Sequence, residues 1–295
     1  MNTGISKPGI SYVLDGDNSA FSGKMRITTP VYAGASGKPA VPDIESGYYT
    51  KVQISDGHSL GGAYAGSDGW CAVTLEKQSR LIVTNDITFS EPTRGFLVSR
   101  TGYVQVADGA TLAFECPFTL GGELIKLGGG TLSLGGQLAF ADGDPATAPT
   151  AETNRLVVSE GALRVAATNS CNGMAISFAP GAKLVIAVSD DEAMRKYGLY
   201  DVAWDVPISF GQGMETLPVA FDVPDGFRPE KCRLGICTLN PTAASSFTTA
   251  SFSVRRVSKM SAKVVLVENL DEEDHVTSVT FACELSPMGF RFIVQ

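Results

Sequence analysis

Three pairs of carboxylates are the first residues of this chain whose types and spacing could do chemistry: Asp15 with Asp17, Asp142 with Asp144, and Asp190 with Asp191. Paired acids, or a calcium ion beside a basic residue, are what polysaccharide cleavage employs. Each pair also has a plainer account. Asp15-Gly-Asp17-Asn and Asp142-Gly-Asp144-Pro are turn sequences, because Asp and Gly favour tight turns. Asp190-Asp191 falls where a helix would begin, and carboxylates there meet the positive end of its dipole. No spaced Asp-x-Asp-x-Asp loop is present to wrap calcium.

Other chemistry-bearing residues are sparse. His58 sits in the turn-like Ser55-Asp-Gly-His-Ser59, and His275 follows the acidic run Asp271-Glu-Glu-Asp274, which reads as a solvated hairpin loop. No Gly-x-Ser-x-Gly elbow accompanies them. Cys71, Cys116, Cys171, Cys232, Cys237 and Cys283 contain no Cys-x-x-Cys pair. Most have apolar neighbours, so they read as small buried thiols rather than zinc ligands. An even count also permits disulfides in an exported protein, with no pairing assigned. Gly128-Gly-Gly130 lacks the Lys-Ser/Thr of a phosphate loop. The sequence therefore assigns no catalytic, cofactor-binding or metal-binding residue.

What positions these residues is a repeat. A small or Gly residue, a spacer, then Leu, any residue and another apolar residue recur around Leu81, Leu112, Leu132, Leu163 and Leu184, at steps of 31, 20, 31 and 21 residues. About twenty residues is a natural coil of a β-solenoid, and longer steps read as coils with an inserted loop. Along a strand alternate side chains share a face, so Leu132 and Leu134 point inward and Ser133 to solvent; Leu163 and Val165 point inward and Arg164 out. Partner strands precede them at Tyr103–Val106, Leu124–Leu127, Leu156–Val158 and Ala175–Phe178, and a third strand per coil is inferred. Gly before the Leu strands suits a corner of positive φ.

The chain is read as all-β: a right-handed parallel β-helix over residues 1–189 with loop insertions, then a β-rich C-terminal module over 190–295, possibly a β-sandwich. A short helix at Ser189–Gly198 opens that module, with acids in its first turn and Arg195-Lys196 in its last. β-like runs follow at Leu217–Val223, Arg233–Leu239, Phe252–Val257, Lys263–Val267, Val276–Leu285 and Phe290–Val294. A module of this kind would cover the open strand edge of the last coil.

Gly122-Glu-Leu-Ile-Lys-Leu-Gly-Gly-Gly-Thr-Leu-Ser-Leu-Gly135 resembles the autotransporter-associated β-strand repeat of bacterial passenger domains, with its Leu-x-Lys and Gly-Thr-Leu-x-Leu-x-Gly runs. Val158–Val165 is similar to a later strand of that repeat, and Leu14–Ile27 to an earlier stretch. The resemblance implies an exported, extended β-helix on or released from a bacterial surface, and implies no catalytic residue.

With a net charge of −8 and no basic cluster beyond Arg255-Arg256, Lys259 and Lys263, nucleic acid is excluded as a partner. The longest apolar run, Leu184–Val188, is too short to span a bilayer. The first residues lack an apolar signal region, so the chain reads as a piece of a longer exported protein. The expectation is a structural or adhesive surface fragment, without cofactor, that presents loops near residues 32–50, 61–70 and 140–154 to glycans or to host or neighbouring surface proteins. The alternative is a polysaccharide-active β-helix enzyme.

Overall fold

The computed structural model describes residues 11–29, 49–67, 71–135, 138–140, 154–166, 175–188, 199–200, 208–225, 227, 232–255, 257 and 260–287. Most of these residues are in β-strands, and most strands pair in parallel. The parallel pairing always skips the next strand in the chain, so the polypeptide circles and lays each coil on the last. Three stacked faces result.

The first face contains β1 (Ser11–Leu14), β3 (Lys51–Ile54), β5 (Ser79–Val83), the later parts of β7 (Phe96–Val106) and β9 (Phe118–Leu127), then β12 (Arg155–Val158), β14 (Ala175–Phe178) and β17 (Ile208–Phe210). The second face is the strand that the repeat left to inference. It comprises β2 (Met25–Thr28), β4 (Val73–Glu76), the early parts of β7 and β9, and β11 (Leu138–Phe140). The third face runs through β6 (Ile87–Phe89), β8 (Thr111–Phe114), β10 (Thr131–Leu134), β13 (Ala162–Ala166), β15 (Lys183–Ala187), β18 (Leu217–Asp222) and β20 (Phe252–Val254).

In-register pairing stacks like on like. Leu112, Leu132, Leu163 and Leu184 form one inward row that continues to Val219. The four leucines have no exposed surface; burying such a side chain contributes about 1.5–3 kcal/mol. Phe89, Phe96, Phe114 and Phe118 fill the adjacent corner, with ring centroids 4.8 Å apart for Phe96 and Phe114 and 4.9 Å for Phe114 and Phe118. The positive φ expected before the Leu strands occurs at Gly109, Gly161 and Gly181. Before Leu132 it falls on Gly128.

Two sequence expectations change. Ser133 lies on the outer side of β10 but keeps only 5% exposure. The guanidinium of Arg164 lies over it, donating to its Oγ at 3.4 Å and to Asp222 at 2.8 Å. The parallel faces also run past residue 189: β17 pairs with β14, β18 with β15, and β20 with β18. Loss of the Leu pattern there is a change of side chain, since Val219 and Phe221 continue the inward rows.

Beyond the three parallel faces lies a separate sheet with different pairing. β19 (Cys232–Leu239), β22 (Val276–Pro287) and β21 (Met260–Leu270) form an antiparallel sheet, with β16 (Leu199–Tyr200) parallel to β19. Among the described residues this is one sheet rather than the two of a sandwich. Ile236, Leu239 and Phe281 belong to the same apolar core as the stacked coils. Phe281 also meets Phe252 of the last coil at 5.0 Å between ring centroids. A short helix, α1 (Pro241–Ala244), joins the two parts, and the Asn240 side chain caps it by accepting from the Ala243 N–H at 2.8 Å. The helix expected at Ser189–Gly198 lies outside the described residues.

Candidate functional site: the charged corner of the coils

Between the first and third faces the chain turns a corner in every coil, and polar side chains collect there. Asp15 accepts from Ser55 Oγ, one coil on, at 2.6 Å. Asn85 donates to the Ser55 carbonyl at 2.9 Å. Asp86 accepts from the Thr111 N–H at 2.8 Å, and Asp108 from the Gly129 N–H at 3.0 Å. Glu160 accepts from the Gly128 N–H at 3.0 Å. All five tie neighbouring coils, and Asp86, Asp108 and Glu160 do so by accepting backbone N–H groups of the corners. Asp17 instead closes its own turn, accepting from the Ser19 N–H at 2.7 Å. That backbone hydrogen bond holds its carboxyl below the usual range.

Lys126 sits at the centre of this corner. Its strand register places it between Val104 and Val158, in a row that otherwise faces the interior. The side chain has no exposed surface. Nζ donates to the carbonyls of Gly128, of Gly130 at 2.6 Å and of Glu160 at 2.8 Å. Burial lowers its pKa to about 8, opposed by the nearby carboxylates of Glu160 and Asp108. An ammonium in an apolar interior is costly unless every proton is placed, and here three carbonyl oxygens receive them. The cation thus ties the Gly128–Gly130 turn to the coil above.

Arg94 makes the corresponding clamp in the early coils. It is 4% exposed and donates to four carbonyls: Gly62, Leu60 at 3.0 Å, Phe21 at 2.9 Å and Gly23 at 3.0 Å. Residues 61–67, the described part of the 61–70 insertion, are thereby folded back over the coils, with Gly61 and Gly62 buried. Beside the clamp is a hollow lined by His58, Gly61, Thr88, Phe89, Glu91 and Arg94, with about 40 Å³ of room. That is the space of about one water molecule. His58 is half exposed; its N–H donates to Asp56 at 2.7 Å, and its Nδ1 lies 3.6 Å from the same carboxylate.

The remaining candidates scatter. His275 is exposed in the β21–β22 loop, its N–H donating to Asp271 at 2.9 Å, which is the solvated hairpin turn that the sequence indicated. Gly128–Gly130 is the turn around Lys126. Cys116, Cys232, Cys237 and Cys283 are buried; burial pushes Cys116, Cys237 and Cys283 up to about 12 and Cys232 to about 11. Cys71 is half-buried and meets the Lys24 ammonium at 3.4 Å. Asp142, Asp144, Asp190, Asp191 and Cys171 lie outside the described residues, as do 32–48, 68–70 and 141–153 of the expected contact loops. Among the described residues no three of His, Cys, Asp or Glu gather to hold a metal, and no helix is long and apolar enough to cross a membrane.

Lys126 and Arg94 were the residues that sequence reasoning passed over. Lys126 had a signal: in Leu124-Ile-Lys126 it shares the parity of an inward leucine. Arg94, in Glu91-Pro-Thr-Arg94, had none.

The fold and this corner define an all-β chain of stacked parallel strands, laced by side chains that bind backbone. No protein-family model, no curated protein and no solved structure matches the chain.

Proposed function

We propose that the chain is a right-handed parallel β-helix of the bacterial passenger type, a structural or adhesive surface fragment rather than an enzyme. Supporting the handedness, parallel strands joined by a crossover within one sheet turn right-handed in nearly every protein. The observation that carries the functional reading is where the corner acids go. Asp15, Asp17, Asp86, Asp108 and Glu160 each accept a hydrogen bond from a turn or from the adjoining coil. Carboxylates used in this way hold the rod together. The resemblance of Gly122–Gly135 to the autotransporter-associated repeat agrees, and it makes glycans or proteins at a cell surface the partners.

The test is incubation of the purified chain with mucins and with plant and bacterial polysaccharides, scoring retention and release of new chain ends separately. Retention without release is the expected outcome. A second reading, a polysaccharide-active enzyme, has in its favour His58 and Glu91 beside one hollow, with Asp17 and Asp56 adjoining His58. Release of chain ends that stops in His58→Ala or Glu91→Gln would establish that reading instead.

A further inference from the structure

The β21 strand is unusual for a sheet edge. It runs for 11 residues, pairs with β22 along one side, and has no strand on the other among the described residues. Proteins ordinarily blunt such edges with short strands, proline or several charges. Here the middle is Val264-Val-Leu-Val267, without a charge. The face that meets the core at Val264 and Phe281 continues outward as Leu266, Glu268, Leu270 and Val276, of which the apolar three are 45%, 53% and 37% exposed. Leu270 lies opposite Val276 and Leu266 opposite Phe281, so these side chains share one side of the sheet.

The charges on this edge are polar along the strand. Lys263 stands near its start, with Arg255 shortly before it, while Glu268 and the Asp271-Glu-Glu-Asp274 loop mark its end. All are exposed. An edge that is basic at one end, apolar in the middle and acidic at the other is complementary to itself when reversed.

We propose that β21 is a dimerisation edge, and that its occupant is the β21 strand of a second copy of this chain, added antiparallel about a two-fold axis near Val265 and Leu266. This geometry extends the antiparallel sheet through both copies. A two-fold axis normal to the sheet keeps the faces in phase, so the Leu266 face of one copy continues into that of the other. It brings the Lys263 end of each strand beside the acidic end of its partner, twice per dimer; Lys263 and Glu268 stand on opposite faces of the sheet, so the attraction acts between the strand ends and not as a direct pair. The open N–H and C=O groups of both edges are satisfied in one step. A parallel addition would set like charges together at both ends. The pairing is independent of whether the coils carry glycan-binding loops.

Sedimentation of the full chain over a range of concentrations, at low and high salt, tests the proposal. The expected result is a monomer–dimer equilibrium that weakens with salt. Lys263→Glu and Glu268→Lys should each weaken the dimer by about three- to tenfold at low salt and less at high salt. Both residues are exposed on the edge, and because Lys263 stands opposite Glu284 on β22, circular dichroism of each variant checks that the sheet is kept. Cysteine placed at Val265 or Leu266, at or beside the axis, should give a disulfide-linked dimer under mild oxidation. A monomer at every concentration would overturn the proposal. So would a dimer that ignores both charge reversals and resists cross-linking at both positions.

Discussion

The ammonium of Lys126 and the carbonyl oxygen of Glu160 lie 2.8 Å apart across two successive coils, although the residues are 34 apart in sequence. The same Nζ holds Gly128 and Gly130 in its own turn, so one buried cation fixes both the shape of a corner and the stacking of the next coil on it. Where the interior row would otherwise hold Val, this protein places a charge that gathers three carbonyls, one of which, that of Gly130, also accepts from the Ala162 N–H.

Replacing Lys126 by Met keeps the length of the side chain and removes the cation. The carbonyls of Gly128 and Glu160 lose their donor, and the variant should be less stable by about 2–4 kcal/mol. Urea unfolding followed by circular dichroism measures this. Loss below about 0.5 kcal/mol would mean that water replaces the ammonium.

The same pair of proteins isolates a pH effect. The Lys126 pKa is near 8 when folded and 10.5 ordinarily. Between these values the folded chain sheds a proton that the unfolded chain keeps, so this group adds stability as pH rises. The buried thiols act oppositely. Cys116, Cys237 and Cys283 titrate near 12 and Cys232 near 11 when folded, against 9 ordinarily, so they cost stability above about pH 9. The stability gap between wild type and Lys126→Met should therefore widen from pH 8 to 10.5, even as both proteins weaken. A flat gap would place the ammonium in a solvated site.

Gly161 and Gly181 occupy equivalent corners and should respond differently to alanine. Both have positive φ, 70° and 90°. A Cβ on Gly161 would collide with the Gly130 carbonyl and the Lys126 ammonium, whereas one on Gly181 meets nothing within 4 Å. Gly181→Ala should cost about 1–2 kcal/mol, the backbone penalty alone. Gly161→Ala should cost at least about 1 kcal/mol more, because the clamp must move. Equal losses in thermal unfolding would count against the clamp geometry.

Arg94→Met should loosen one region while leaving the later coils intact. Residues 21–23 and 60–62 would lose the guanidinium that gathers their carbonyls. Their amides should exchange faster, and the 59–67 segment should become the first site of proteolysis. Uniform loss of protection across the whole chain would show that the clamp is global.

Much of the architecture was legible from residue order. In a strand the side-chain period is two, and stacked coils repeat the same interior environment, so Leu112, Leu132, Leu163 and Leu184 announced a parallel stack and its register. Local turn chemistry was equally readable: Asp17 closes its turn with Ser19, and Asp271 closes its loop with Glu273 and His275, because those partners lie two to four residues away. Tertiary structure decided what depends on contacts between distant segments. The inward face of Lys126 followed from parity, but its carbonyl partner Glu160 came from the next coil. Arg94 binds carbonyls up to 73 residues away. Ser133 was outward by parity yet became covered by Arg164 from the neighbouring strand. Periodicity specifies which side of a strand a residue occupies; only the stacking of coils specifies what stands on that side.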